Sequence, residues 1–391
     1  MQKEVCIITS YFPPETGAAS NRIYSLAKGF EANNFKVSVI TPLPNYPTGK
    51  VFPAYKGKWK DIAEENNLKI YRLWIFASNS KNILFRLLAM LSYSISLLLF
   101  FATHKLPSKV VIQSPPLLVA FTCVLFLKNK KKDLIVNISD LWPLAGLELG
   151  AFKRNFTYKC LEKIESIIYK RADIILGQSE EIIAHIYQKS TPKKTFLYRN
   201  YPEFEIPEIQ ERTNNEPNSK IKIVYAGLVG MAQGIYKLCT KLDYSTIEFH
   251  IYGDGAEKQK IEEYIAKNKH LPIFYHGKLD RTELHLELLK YDFTIVPLVK
   301  RIYGSVPSKI FEYAKLGIPT IYFAGGEGGD LVAKYELGYT IAPEDYHALN
   351  TQLNHLNSDI ISTKNQLRIR KTAAKYFDFE LQMKKLIALL H

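Results

Sequence analysis

Two series of short apolar runs, each followed by a glycine- or proline-marked turn and an amphipathic stretch, constrain this chain more than any other feature. EVCIITS, KVSVIT, VVIQSPP, LIVNISD and ADIILGQS recur through the first half, and KIVYAG, FHIYGDG, IFYHG, YDFTIVPL and TIYF through the second. Short runs rich in β-branched residues and bounded by turn residues read as buried strands, and their alternation with helical stretches reads as βαβ units around parallel sheets. A polar segment over residues 203–220, with two prolines and the run TNNEPNSK, separates the series and reads as a linker. The length of 391 residues suits two such domains. The expected fold is therefore α/β, with two Rossmann-like domains facing across a cleft, 1–202 and 221–373, and a final segment 374–391.

Charge divides along the same line. Lys and Arg number 28 against 14 Asp and Glu up to residue 200, and 24 against 24 beyond it, so the first half carries the whole formal charge of +14. A basic half suits an anionic partner or is solvated surface. No zinc, RNP or helix-turn-helix signature points to nucleic acid, which leaves an anionic membrane surface as the expected partner. The four cysteines, Cys6, Cys123, Cys160 and Cys239, are widely spaced and read as reduced cytoplasmic thiols. MQKEVCIITSYF does not read as a secretion signal.

The densest chemistry lies in SVPSKIFEYAKLGIP, residues 305–319. Pro307-Ser308 opens a helix after a buried strand, Ser308 is placed to cap it, and Gly317-Ile318-Pro319 ends it. Free amides at that helix start, beside Lys309, suit a diphosphate. Glu312, about a turn deeper, suits the paired hydroxyls of a ribose. The same segment also reads as a capped surface helix.

In the first half, YFPPETGAAS (11–20) opens a helix capped by Ser20 or Asn21, with Ile23, Leu26, Ala27 and Phe30 on one face and the Gly17-Ala18 amides exposed. NYPTGKVFPAY (45–55) is a turn-rich loop, followed by Lys56, Lys58, Lys60 and Trp59, a combination that suits a headgroup interface or plain solvent. Residues 87–103 carry no charge. A helix of that length spans about 25 Å, short of a bilayer crossing, so it reads as a buried core helix or as one lying in the membrane interface. Lys81, Arg86, Lys105 and Lys109 flank it. Asp140, at a strand end where ligands of open α/β sheets bind, either meets a ligand hydroxyl or caps the next helix.

PSKIFEYAKLGIP, YFPPETGAAS, ISDLWPLAG and GLVGMAQG resemble the family 4 glycosyltransferases, retaining enzymes of the GT-B fold, and most resemble the branch that builds bacterial O-antigen and capsule on lipid carriers. The resemblance implies transfer of an N-acetylated or deoxy hexosamine from a UDP-sugar to a polyprenyl-diphosphate-linked saccharide. The enzyme would work without metal or other cofactor, at the inner face of the cytoplasmic membrane. Gly17, Ala18, Gly230, Gln233, Gly253, Gly277, Lys278, Arg301, Pro307, Ser308, Lys309 and Glu312 are the implied donor-binding residues. Glu15, Thr16, Arg22, Asn45, Tyr46, Asp140 and Trp142 are the implied acceptor-side residues, and Asp140, Lys309 and Glu312 the catalytic set. In GT-B proteins the last helix returns to the first domain. The chain departs from the family pattern at Gly304, where the first of two glutamates usually stands, at Leu228 and Gln233, where Arg and Lys touch the diphosphate, and at Ser139 and Arg199. Those departures keep two alternatives open: a UDP-sugar 2-epimerase of the same fold, and a non-catalytic nucleotide-sugar-binding protein.

Overall fold

The computed structural model describes residues 3–65, 67–80, 82–151, 153–208, 220–356 and 358–390. Lys81 and most of the polar run, 209–219, lie outside them. The chain forms two compact units. The first comprises Met1–Asn200, Ile302–Gly304 and Glu380–His391, and the second Tyr201–Arg301 and Ser305–Phe379.

The first unit is built on β1 (Lys3–Ile8), β2 (Phe35–Pro42), β3 (Lys60–Glu65), β4 (Leu68–Leu73), β5 (Lys109–Ser114), β6 (Asp133–Ile138), β7 (Ile174–Gly177) and β8 (Thr195–Leu197). They lie in the order β3-β4-β2-β1-β5-β6-β7-β8, parallel except for the antiparallel pair β3–β4. Val5 to Ile8 and Val110 to Ile112 are fully covered, because helices lie on both faces of a parallel sheet. The edge strand β3 is short and carries Lys60, Asp61, Glu64 and Glu65, which discourages pairing with another chain.

The second unit contains β9 (Ile221–Leu228), β10 (Ile247–Asp254), β11 (Ile273–Gly277), β12 (Phe293–Pro297), β13 (Thr320–Phe323) and β14 (Gly338–Ile341). Its parallel order, β11-β10-β9-β12-β13-β14, is the doubly wound one, and the direction of strand addition reverses between β9 and β12. Ligands of such sheets bind at the carboxyl ends of the strands around that reversal.

Several local expectations need correction. The helix Ala18–Ala32 starts before Ser20 and Asn21, with Gly17 at its N-cap and no side-chain cap; Ser20 Oγ instead donates to Glu15 O at 2.7 Å. Ser308 is the N-cap of Lys309–Leu316, but its helical backbone (φ −61°, ψ −18°) leaves the hydroxyl without a capping bond. The C-terminal end of that helix closes on Gly317 at φ +78°, with Ile318 N reaching back to Tyr313 O.

The apolar segment forms a helix of 21 residues, Ile83–Thr103, longer than the uncharged run and long enough to cross a membrane. One face is nonetheless packed: Ala89, Tyr93, Leu97, Phe100 and Phe101 are buried, and Tyr93 Oη donates to Thr9 O at 2.9 Å. The other face exposes Leu84, Leu88, Leu91, Ile95 and Leu99. The buried-core and exposed-apolar readings each describe one side of this helix. The last helix, Phe379–Leu389, contributes to the first unit, where Met383 lies against Gly29 and Gln382 bonds both backbone groups of Arg199. All four cysteines are free; burial pushes the Cys6 and Cys239 thiols up to about 12.

Candidate functional site

In the second unit a cavity of about 590 Å³ opens where β9, β10 and β11 end. Gly227 and Leu228 come from the end of β9, Gly253 and Asp254 from β10, Lys278 follows β11, and Lys309 opens the helix after β12. The volume falls within the roughly 300–1,000 Å³ of small-molecule sites. The glycines are dictated by backbone proximity: a Cβ on Gly253, at φ +138°, would stand 1.8 Å from Gly227 O. Asp254 is the one acid among the described lining residues, and its Oδ1 accepts from Gly255 N at 2.8 Å.

Lys309 is held by its helix, which Tyr313 anchors to the strand end through Tyr313 Oη to Ala226 O at 3.2 Å. Burial lowers the pKa of the Lys309 ammonium, and Glu312 opposes that shift. Glu312 Oε1 accepts from His285 Nε2 at 2.7 Å and lies 3.7 Å from Arg281 Nε. Burial disfavours the Glu312 carboxylate, yet the His285 hydrogen bond and the nearby Lys309 and Arg281 charges outweigh it and hold its pKa down to about 2. No described protein group donates to Oε2, so a carboxylate oxygen is available to hydroxyl donors.

The structure therefore brings together Gly253, Lys278, Lys309 and, behind Lys309, Glu312. Gly230, Gln233, Gly277, Arg301, Pro307 and Ser308 do not line the cavity. Gln233 Oε1 is buried without a partner, and Arg301 lies over the Gly325-Gly326 turn. His285, Arg281 and Tyr252 went unnoticed in the sequence. Arg281 and His285 stand one turn apart in DRTELHLELL, the spacing that places two donors on one helix face.

In the first unit the acceptor-side residues form two groups. Glu15 belongs to the first but offers little to a ligand: buried, it accepts from Asn45 N at 2.7 Å and Tyr46 N at 2.8 Å. It ties the loop after β1 to the loop after β2. Thr16, Tyr46 and Ala18 are exposed beside it, Asn45 and Gly17 are half-buried, and the Tyr11 and Tyr46 rings meet edge to face at 5.5 Å. The second group is Arg22, Asp140 and Gln178. Arg22 is buried, donates to Gln178 Oε1, and leaves Nε without a partner. Burial lowers its pKa, and Asp140 is close enough to counter that. Asp140 Oδ2 accepts from Ser139 Oγ at 3.1 Å. The helix Leu144–Glu148 has Pro143 as its N-cap and no side-chain cap, so Asp140 does not cap it. Trp142, half-buried, follows Asp140 on the same loop. Gln178 and Tyr11 were missed, although both follow strand ends on the carboxyl edge.

Residues 223–359 match the family model described as glycosyl transferases group 1, which contains every residue named in the second-unit cavity. No curated protein matches the chain. Among solved structures, sucrose-phosphate synthase from Thermosynechococcus elongatus is 15% identical with a TM-score of 0.74, covering 100% of this chain and 98% of that one. HepE from Anabaena in complex with UDP is 12% identical with a TM-score of 0.66, over 99% of each chain. The lipopolysaccharide outer core galactosyltransferase WaaB is 15% identical with a TM-score of 0.65, over 98% of each. These likenesses show the GT-B fold, and the group 1 match makes the chain a glycosyltransferase enzyme.

Proposed function

We propose that the protein transfers a hexosyl group, an N-acetylated or deoxy hexosamine, from a UDP-sugar to a polyprenyl-diphosphate-linked saccharide in surface polysaccharide synthesis. One observation carries the donor half of this reading: Lys309 and a charged Glu312 stand one helical turn apart beside a glycine-floored cavity at the strand ends. Lys309, through its ammonium and its own backbone amide, would take the diphosphate, and Glu312 Oε2 the ribose hydroxyls. HepE, of the same fold, was solved with UDP.

The family resemblance supplies the chemistry of this proposal. The bond between the anomeric carbon and the donor phosphate oxygen breaks, and its electron pair leaves with UDP. Lys309 stabilises that charge without a divalent cation. The acceptor oxygen bonds to the same face of the anomeric carbon, retaining its configuration, and its proton passes to the departing phosphate while Asp140 orients the hydroxyl. Membrane attachment is part of the proposal: exposed Leu84, Phe85 and Leu87 at the start of Ile83–Thr103, with exposed Lys56 and Lys58 of the basic first half, suit the inner face of the cytoplasmic membrane.

The test screens UDP-, GDP- and dTDP-sugars for thermal stabilisation, then follows UDP release with a membrane lipid extract. UDP-sugar stabilisation with lipid-dependent release is expected. Interconversion of the sugar at C2 without lipid would favour the epimerase, and stabilisation without turnover in any extract would favour a binding protein.

A further inference from the structure

Beside the exposed face of Ile83–Thr103 lies an apolar groove of about 730 Å³, walled by Trp59, Trp74, Phe76, Leu91, Ile95 and Leu99. The hydroxyls in its wall are turned away. Ser92 Oγ accepts from Phe76 N and donates to Ala89 O, and Ser96 Oγ donates to Trp74 O. The groove thus presents hydrocarbon and ring surface with scarcely any polar contribution, at a volume suited to a small molecule.

We propose that this groove holds the hydrocarbon chain of the lipid-linked acceptor, lifted from the bilayer, with its diphosphate at the Arg86 end. The inference rests on the lipid-linked acceptor of the proposed function. Three observations favour a single chain over a flat bilayer or a second copy. The first is shape: a bilayer complements protruding residues, and a trough facing it would leave atoms on its floor without contacts. The second is charge. The Arg86 side chain is exposed and has no hydrogen bond or ion pair among the described residues, so one guanidinium stands ready for a phosphate where the helix begins, while Lys60, the cation in the groove wall at the helix's other end, lies 3.2 Å from His104 Nε2.

The third is continuity. Beyond Phe76 the chain packs on the loop after β2, where Asn79 Nδ2 donates to Pro47 O at 2.6 Å and a Cβ on Gly49 would strike Asn79 N. That loop carries Tyr46, whose ring meets Tyr11 and lies 3.5 Å from where a Gly17 Cβ would stand. Burial raises the Tyr11 pKa and Arg86 opposes the rise, which sets the guanidinium within electrostatic reach of this loop cluster. A chain in the groove would therefore direct its headgroup toward the exposed Thr16 and Tyr46 and the half-buried Gly17.

Equilibrium dialysis of the full-length protein against farnesyl diphosphate and isopentenyl diphosphate, without donor, tests this. Farnesyl diphosphate is expected to bind about tenfold tighter or better, since only its chain is long enough to bury in the groove. Ile95→Asp, an exposed position, is expected to abolish that preference while melting temperature and UDP affinity stay unchanged. The groove-filling Leu91→Trp should do the same if Ile95→Asp perturbs folding. Equal binding of the two diphosphates, or a preference that survives both variants, overturns the proposal. So does a loss on Ile95→Asp of sedimentation with phosphatidylglycerol vesicles when no chain preference exists, which would mean bilayer docking. A concentration-dependent dimer dissolved by Ile95→Asp would assign the face to a second copy. Chain preference without lipid-dependent UDP release would instead leave the groove standing and remove the transferase reading.

Discussion

In the second unit the charged groups are presented to a cavity, whereas in the first they are largely consumed in holding loops. Lys309 and Lys278 line the donor-side cavity, and Glu312 keeps one oxygen open. Glu15, by contrast, spends its carboxylate on the Asn45 and Tyr46 amides, and Arg22 is buried against Gln178. The difference suits the ligands proposed. A nucleoside diphosphate offers fixed charge and paired hydroxyls that reward charged partners, while a saccharide on a lipid needs shaped loops and an apolar track.

This contrast can be broken by substitution. The largest effect is expected at Lys309: Lys309→Met should lower kcat for UDP release by about 10²–10³-fold, because it removes a charge aimed at the leaving diphosphate. Near-normal turnover in steady-state assays would take the leaving-group chemistry away from this helix. Glu312→Ala should weaken UDP binding by about 1.5–3 kcal/mol, read by calorimetry, through loss of charge-assisted hydrogen bonds.

The same carboxylate has a signature in pH. Its folded pKa of about 2 lies below the roughly 4.3 of an unfolded Glu, so its contribution is fully present above about pH 4.3 and is lost as pH falls toward 2. Between pH 5 and 2.5 the wild type should lose stability more steeply than Glu312→Gln, by on the order of 2 kcal/mol in urea titrations. Parallel curves would mean that His285 and Lys309 do not hold the charge in solution.

The two faces of Ile83–Thr103 sharpen the comparison at smaller scale. Leu97→Ala, fully buried, should cost about 2–5 kcal/mol, and exposed Leu99→Ala within about 0.5 kcal/mol, by denaturant unfolding. Similar costs at both positions would mean that the exposed face is covered in the free protein.

The fold was largely legible because the signals that set it are local: apolar strand runs, glycine turns and the Gly317 stop repeat at short range. The expected cap at Ser308 failed for a backbone reason, since a residue already in the helical region cannot swing its hydroxyl onto the first amides. The length of Ile83–Thr103 was underread because Arg86, taken as a flank, lies inside the helix on its exposed side. The site was legible only in part. Lys309 and Glu312 announce themselves within one turn of one helix, but the partnership of Glu312 with His285 joins positions 27 residues apart, which no local pattern encodes. Glu15 was named through the resemblance of its loop, and its two amide partners arrive from the next loop, which no local pattern encodes.

Calorimetric titration of UDP into wild type, Glu312→Ala and Asp140→Asn tests the division of labour most directly. The expected result is UDP binding weakened about tenfold or more in Glu312→Ala and unchanged in Asp140→Asn, whose defect appears only in lipid-dependent UDP release. Unchanged affinity in a folded Glu312→Ala, or a loss confined to Asp140→Asn, would contradict a donor site in the second unit.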